Sequence, residues 1–332
     1  MPVSVAIVGP AGSGKTTLFN ALTGGRGSGG VGMVDVPDER VDRLTEAVKP
    51  KKKVYAQVRV ADAPPGSRAQ QVAAAREADV VLQVARCFGP EPDPAGDLTS
   101  TTVDMVVADL ASVERRLEIA EKEARANKPG VGAEVEALKQ AKDWLDEGRP
   151  LRSLDLDEPA RAALAPLFPV TLRPAVYVAG VSDDPAAGEP VLAAARADGV
   201  EAAVVAAALE AELAELPAGE AAEYRASYGI NESGLAAVAQ AVWRAGGLIT
   251  FFTAGEPEVR AWPCERDAPA PVAAGVIHTD FTKKFIRAEV TSVDELVAAG
   301  SMEALRAAGR LRVEGREYRV KDGDVVYFRI GG

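Results

Sequence analysis

Gly9 and Gly14 stand five residues apart, and an ammonium, Lys15, and a hydroxyl, Thr16, follow at once. The stretch Gly9, Pro10, Ala11, Gly12, Ser13, Gly14, Lys15, Thr16 matches G-x-x-x-x-G-K-[ST] without a gap. That spacing suits phosphate. Gly9, Gly12 and Gly14 let main-chain N–H groups, that of Ser13 among them, converge on phosphate oxygens. A helix starting near Lys15 aims its positive end at the same point. Lys15 then supplies a point charge for the β- and γ-phosphates and is the one candidate catalytic group. Thr16 offers a hydroxyl to Mg²⁺, which keeps most of its waters, and Thr17 reaches the α-phosphate. The ligand this implies is a nucleoside triphosphate with Mg²⁺. The competing reading, an incidental Gly-rich turn, lacks the context that the flanking residues provide.

That context is a strand before and a helix after. Residues 3–8 are an apolar run of the kind found in buried parallel strands, and residues 15–22 have helical character. Residues 24–32 read as a flexible Gly-rich connection. Residues 54–61 alternate and read as a strand ending at Asp62, an acid placed to hold Mg²⁺ through water or else an ordinary strand end. Residues 80–85, 175–179 and 202–207 read as further strands. Strands alternating with helices imply a doubly wound, mostly parallel α/β sheet. The pattern breaks at residues 97–168. Val103, Val106, Leu110, Val113, Leu117, Ala120 and Ala124 follow a 3,4 spacing, a heptad seam on one helix. A turn signal at residues 127–130 and a second stripe, Val135, Leu138, Ala141 and Leu145, complete an antiparallel helical hairpin, or simply a surface helix pair. From about residue 253 short strand-like stretches recur, at 259–262, 285–290, 310–313, 318–320 and 325–330, with helices at 293–299 and 302–308. The expected organisation is an α/β domain of residues 1–96 and 169–252, a helical arm of residues 97–168, and a small mixed β domain of residues 253–332.

Bulk properties narrow the partners. A chain of 332 residues is long enough for two or three domains. Its net charge of -11 argues against DNA and against indiscriminate nucleic-acid binding. Residues 281–332, however, hold ten Lys or Arg against eight Asp or Glu, a local surplus on an acidic body. Cys87 and Cys264 are far apart, with no metal-type spacing, and fit reduced thiols. No stretch is apolar enough to span a membrane, so a cytoplasmic protein is expected.

VPDERVDRLTEAVKPKK (36–52), ARCF (85–88), AGEPEVRAWP (254–263), AAGVIHTDFTKKFIRAEV (273–290) and VKDGDVVYFRI (320–330) resemble the YchF type of Obg-like ATPases. The resemblance covers nearly the whole chain in the same order. It implies a P-loop G domain, an inserted helical arm and a C-terminal TGS domain of β-grasp type. It also implies ATP favoured over GTP, slow hydrolysis, and association with ribosomes or ribosomal RNA through the TGS-like domain and basic patches.

Several residues depart from that pattern. The segment between Leu22 and Val34 offers only Thr23 and Ser28 where such proteins supply a Thr to the metal. The family's D-x-x-G reads Asp62, Ala63, Pro64, Pro65 here, and Pro65 has no N–H to give the γ-phosphate, while Gly66 lies one residue too far. The base-reading N-x-x-E reads Gly180, Val181, Ser182, Asp183, so main-chain contacts from Val181 have to serve. No residue stands out as a substitute for the catalytic Gln of other G domains. Three readings follow: a slow ribosome-associated ATPase, a non-hydrolysing nucleotide-binding scaffold or GTP-binding protein, and, more distantly, a metabolic kinase. Elsewhere, His278 is structural or a loop-edge contact. Phe281 and Phe285 beside Lys283, Lys284 and Arg287 either pack in a core or stack on bases. Lys49, Lys51, Lys52 and Lys53 are a solvated run or an RNA contact.

Overall fold

A computed structural model describes residues 3–62, 68–227 and 233–331, apart from the side chains of residues 218, 222 and 225. Pro65 and Gly66 lie outside the described residues. The chain opens with β1 (Ser4–Val8), then α1 (Lys15–Thr23), β2 (Val31–Val36), α2 (Glu39–Val48), β3 (Lys53–Val54), β4 (Ala56–Asp62), α3 (Arg68–Glu77) and β5 (Val80–Arg86). α4 (Pro94–Arg125), α5 (Val131–Asp146) and α6 (Glu158–Leu164) follow, then β6 (Ala175–Gly180), α7 (Glu189–Asp198), β7 (Glu201–Val205), α8 (Ala207–Leu213), α9 (Ala218–Ser227) and α10 (Gly234–Ala245). The rest comprises β8 (Leu248–Ala254), β9 (Val259–Glu265), α11 (Ala270–Ile277), α12 (Thr279–Lys284), β10 (Phe285–Ser292), α13 (Val293–Ala299), α14 (Met302–Ala307), β11 (Arg312–Glu314) and β12 (Asp324–Ile330). Contacts divide the chain into two units, residues 3–33 with 59–245, and residues 1–2, 34–58 and 246–332. The division runs through β2 and β4.

The first unit holds a sheet of order β2-β4-β1-β5-β6-β7, in which β4, β1, β5, β6 and β7 pair in parallel. β1, β5 and β6 are buried almost throughout, because helices cover both faces. The order turns at β1, so the ends of β1, β4, β5 and β6 converge on one edge of the sheet. Ile7 lies opposite Asp62, and Arg86 opposite Gly180. Ligands of doubly wound sheets bind at such an edge.

Two glycines of the stretch after α1 are closely packed, while Gly25 and Gly29 face open space. A Cβ on Gly27 would sit 2.5 Å from the Phe19 ring, and one on Gly32 would sit 2.2 Å from Thr23 Cγ2. Only glycine lets this short loop lie against α1.

α4 and α5 pair along the expected seam from Val106 through Ala120, with Val131, Val135, Leu138, Ala141 and Leu145 opposite. Val103 does not belong to the seam and is 44% exposed. The first turns of α4 instead bury Leu98 and Met105 in the clusters beneath the sheet, which turns Val103 outward. At the root of the arm Asp109 has no exposed surface. It accepts from the N–H of Val170 (3.0 Å) and Thr171 (2.7 Å), from Thr171 Oγ1 (2.8 Å) and from Arg76 Nη2 (3.3 Å). Burial pushes this carboxyl up, and the four donors pull it back.

The second unit has a mixed sheet of order β11-β10-β12-β8-β9-β3. β10 pairs antiparallel with β11 and β12, and β12 pairs parallel with β8. Residues 318–320 form no strand; only an isolated bridge, Pro269 to Arg319, is made there. Phe285 is buried in the core and Phe281 packs at its margin, so core packing is the observed role of both rings. His278 is exposed and accepts from the Asp280 N–H (3.3 Å), capping α12. Lys51, Lys52 and Lys53 pair with Glu256, Glu258 and Asp42. Lys49, the fourth lysine of that run, is exposed and has no acidic partner among the described residues. Cys87 and Cys264 are both buried and free.

Candidate functional site

The phosphate loop connects β1 to α1, as the glycine spacing predicts. Gly9, Gly12 and Gly14 have φ of 152°, 77° and 90°, which side chains other than glycine rarely adopt. Gly9 is also closed sterically, since a Cβ there would sit 2.5 Å from the Val84 carbonyl oxygen. Gly14 is the N-cap of α1 and makes no side-chain cap, so the helix N–H groups stay available to an anion. Lys15 Nζ donates to the carbonyls of Gly9 (2.9 Å) and Pro10 (2.6 Å). Burial holds this ammonium below the usual lysine range, while Asp62 and Asp97 raise it. Ser13 is 1% exposed, and its hydroxyl has no partner among the described residues.

Thr16 and Asp62 meet at the end of β4. Thr16 Oγ1 donates to Asp62 Oδ2 at 2.9 Å. Asp62 Oδ1 is buried without a hydrogen-bond partner among the described residues. A hydroxyl beside a carboxylate with an orphaned oxygen is a donor set that fits a hard divalent cation keeping several waters, as Mg²⁺ does. No cluster of three or more His, Cys, Asp or Glu occurs among the described residues, so no closed metal cage competes with it. Thr23 is not brought to this point. Its hydroxyl donates to the Phe19 carbonyl inside α1 (2.8 Å).

Two cavities open from the loop. One of about 430 Å³ is lined by Gly14, Thr17, Phe88, Gly180 to Asp183, Leu209 and Glu212, among others. It is mainly apolar, with a few polar groups at its rim, the character of a site for a flat base. Val181 lines it, but its N–H is committed to the Val205 carbonyl (3.0 Å), so a main-chain contact to a base falls to its carbonyl. A Cβ on Gly180 would make only ordinary contacts, the nearest at 3.5 Å. The other cavity, about 780 Å³, is lined by residues of the loop from Gly9 to Thr17 and by Arg68, Gln71, Ser100, Thr101 and Asp104. Phe88 stands between the two.

The sequence offered no substitute for a catalytic Gln, yet Gln71 reaches the loop, where its Oε1 accepts from the Gly9 N–H at 3.0 Å. Its helix begins just after Asp62 in the chain, and spacing from that acid was the only signal in the sequence.

A glycine-lined phosphate loop, a hydroxyl–carboxylate pair beside it and an adjoining apolar cavity at the switch point of a parallel sheet define a P-loop nucleotide-binding domain. Residues 4–129 match a family model described as 50S ribosome-binding GTPase, and residues 248–331 match the YchF-GTPase_C model. The chain is 36% identical to the ribosome-binding ATPase YchF of Bacillus subtilis, over 99% of this chain and all of that one. It is 34% identical to the protein of the same name from Escherichia coli O157:H7, over 99% of both chains. The structure of the Schizosaccharomyces pombe YchF GTPase superposes with a TM-score of 0.87 at 27% identity, covering 98% of this chain and 97% of that one. The chain belongs to the YchF family.

Proposed function

We propose that this protein is a ribosome-associated P-loop triphosphatase that binds ATP in preference to GTP with Mg²⁺ and hydrolyses it slowly in the cytoplasm. The observation that carries the proposal is the phosphate loop itself, with Lys15 bonded to the Gly9 and Pro10 carbonyls and Thr16 bonded to Asp62 beside it. Main-chain N–H groups between Ala11 and Gly14 and the α1 terminus would hold the phosphates, since the Gly9 N–H is taken by Gln71. Thr17 would contact the α-phosphate, and Phe88 and Val181 would flank the base. Bound Mg²⁺, held by Thr16 and Asp62, would neutralise charge on the β- and γ-oxygens. Water would add to the terminal phosphorus as that phosphorus loses its bond to the bridging oxygen; the water's proton leaves with the inorganic phosphate, and the negative charge gathering on the bridging oxygen of the departing diphosphate faces the Lys15 ammonium.

ATP is favoured because the N-K-x-D reader of guanine is absent and because the relatives in B. subtilis and E. coli are named ATPases. Ribosome association rests on the same names. The same reading treats the paired α4 and α5 as a helical arm and the C-terminal sheet as a TGS-like domain. In the second unit Tyr327 is 47% exposed and flanked by Arg306 and Arg329, whose guanidiniums are anchored on the nearly buried Glu289. That group suits an RNA contact better than the buried Phe285.

A scaffold that binds without hydrolysing is the second reading, favoured by the engagement of Thr23 inside α1 rather than at the metal. Phosphate release from Mg²⁺·ATP separates the two. Release above that of a Lys15→Ala variant supports the enzyme, and equal release supports the scaffold. Co-sedimentation with ribosomes tests the partner, with the Tyr327→Ala, Arg329→Glu double variant expected to pellet less.

A further inference from the structure

We propose that α3 reads the terminal phosphate, with Gln71 and Arg68 supplying the donors that distinguish a nucleoside triphosphate from a diphosphate. The inference rests on the nucleotide reading above. The larger cavity and the base cavity share Gly14, Thr17 and Phe88. The base and the first phosphate therefore belong at that junction. Arg68, Gln71 and Asp104 line the larger cavity and not the base cavity, so the far end of the phosphate tail belongs beside them.

Gln71 is already oriented. Its Oε1 is fixed by the Gly9 N–H, and no described residue accepts from its Nε2. Two amide N–H donors thus remain for a ligand. They take the place of the main-chain N–H that the Asp62 segment forfeits at Pro65 by sequence. Arg68 is held by a single contact, Nη1 to Asp104 Oδ1 at 3.1 Å, and its side chain is 75% exposed. Such a pair is weak and easily exchanged for a phosphate oxygen, which accepts a guanidinium in its forked geometry. α3 itself is anchored. Beyond Arg68, Arg76 donates to the Ala108 carbonyl (3.0 Å), to Asp109 (3.3 Å) and to Ser112 (3.1 Å). A helix tied to α4 at its C-terminal end presents Gln71 on an anchored support.

The Gln71→Glu variant tests this directly, because it keeps an acceptor for the Gly9 N–H and replaces both amide donors with a negative oxygen. Calorimetric titration of the full chain with ATP and with ADP, each with Mg²⁺, gives the ratio of affinities. The expected result is a loss of roughly 10–100-fold for ATP in Gln71→Glu, with ADP within about twofold of the parent. Arg68→Ala is expected to lose about 3–10-fold for ATP alone. An unchanged ATP-to-ADP ratio in both variants, or equal losses for the two nucleotides, overturns the inference. Failure of the parent chain to bind either nucleotide would instead remove the nucleotide reading, and the inference with it.

Discussion

Replacing Asp109 with Ala removes a carboxylate that ties three segments together at the root of the arm. It accepts from the Val170 and Thr171 N–H groups, the Thr171 hydroxyl and Arg76, all on a residue with no exposed surface. A hydrogen bond to a charged group contributes about 1.5–3 kcal/mol net, but the four share one carboxylate and do not add to four times that. Against this stands the lost hydration of a buried carboxylate, the same effect that pushes its pKa up. Removing one member of such a buried network, and leaving the other groups without partners, costs about 3–5 kcal/mol net. Thr171→Val takes away only the hydroxyl and is expected to cost about 1–2 kcal/mol. Urea unfolding gives the loss of stability, and hydrogen exchange at the Val170 and Thr171 amides reports whether it is local. A cost below about 1 kcal/mol for Asp109→Ala, with both amides still protected, would refute the reasoning.

Other outcomes follow from the site. The Lys15 ammonium is held below the usual lysine range in the free protein, and a phosphate bound beside it would raise it again. The protonated form is the one that binds, so affinity is full below the free-protein pKa and is lost as pH rises through it. Titrations at increasing alkaline pH should show weakening with proton uptake, and a flat profile would contradict this. Asp62→Asn should leave Mg²⁺-free binding nearly intact and abolish the gain from Mg²⁺, as two parallel titrations would show. Gly180→Asn should fold normally, because its Cβ meets only ordinary contacts, and should widen the difference between ATP and GTP affinities. Equal affinities in that variant would exclude a base-reading role for the position. Gly9→Ala should lose both stability and nucleotide, because its Cβ would sit 2.5 Å from the Val84 oxygen. A thermal melt and a titration check it together.

Local chemistry made the phosphate loop legible. Glycines, Lys15 and Thr16 act within eight consecutive residues, and the strand and helix around them follow from apolar runs. The heptad seam was legible for the same reason. Its end was not, because Val103 is turned outward by Leu98 and Met105 packing under the sheet, contacts that spacing along one helix does not contain. Gln71 was missed because its partner, Gly9, lies 62 residues away and only the β1–β4 pairing brings them close. The glycines after α1 read as slack in the chain, whereas Phe19 and Thr23 leave no room for a Cβ at Gly27 and Gly32. Residues 34–58 sit next to the nucleotide loop in sequence, yet α2 and β3 cluster with residues 246–332. Composition gave no hint of that, since the pairing of β3 with β9 is made across more than 200 residues.

The central claim is that the loop from Gly9 to Thr17 cradles a triphosphate through main-chain donors and one ammonium. Calorimetric titration of the full chain with Mg²⁺·ATP, beside the Lys15→Ala variant, tests it most directly. Saturable binding at one site per chain, strongly weakened in the variant, is the predicted result. No heat from the parent chain, or the same isotherm from both, would contradict it.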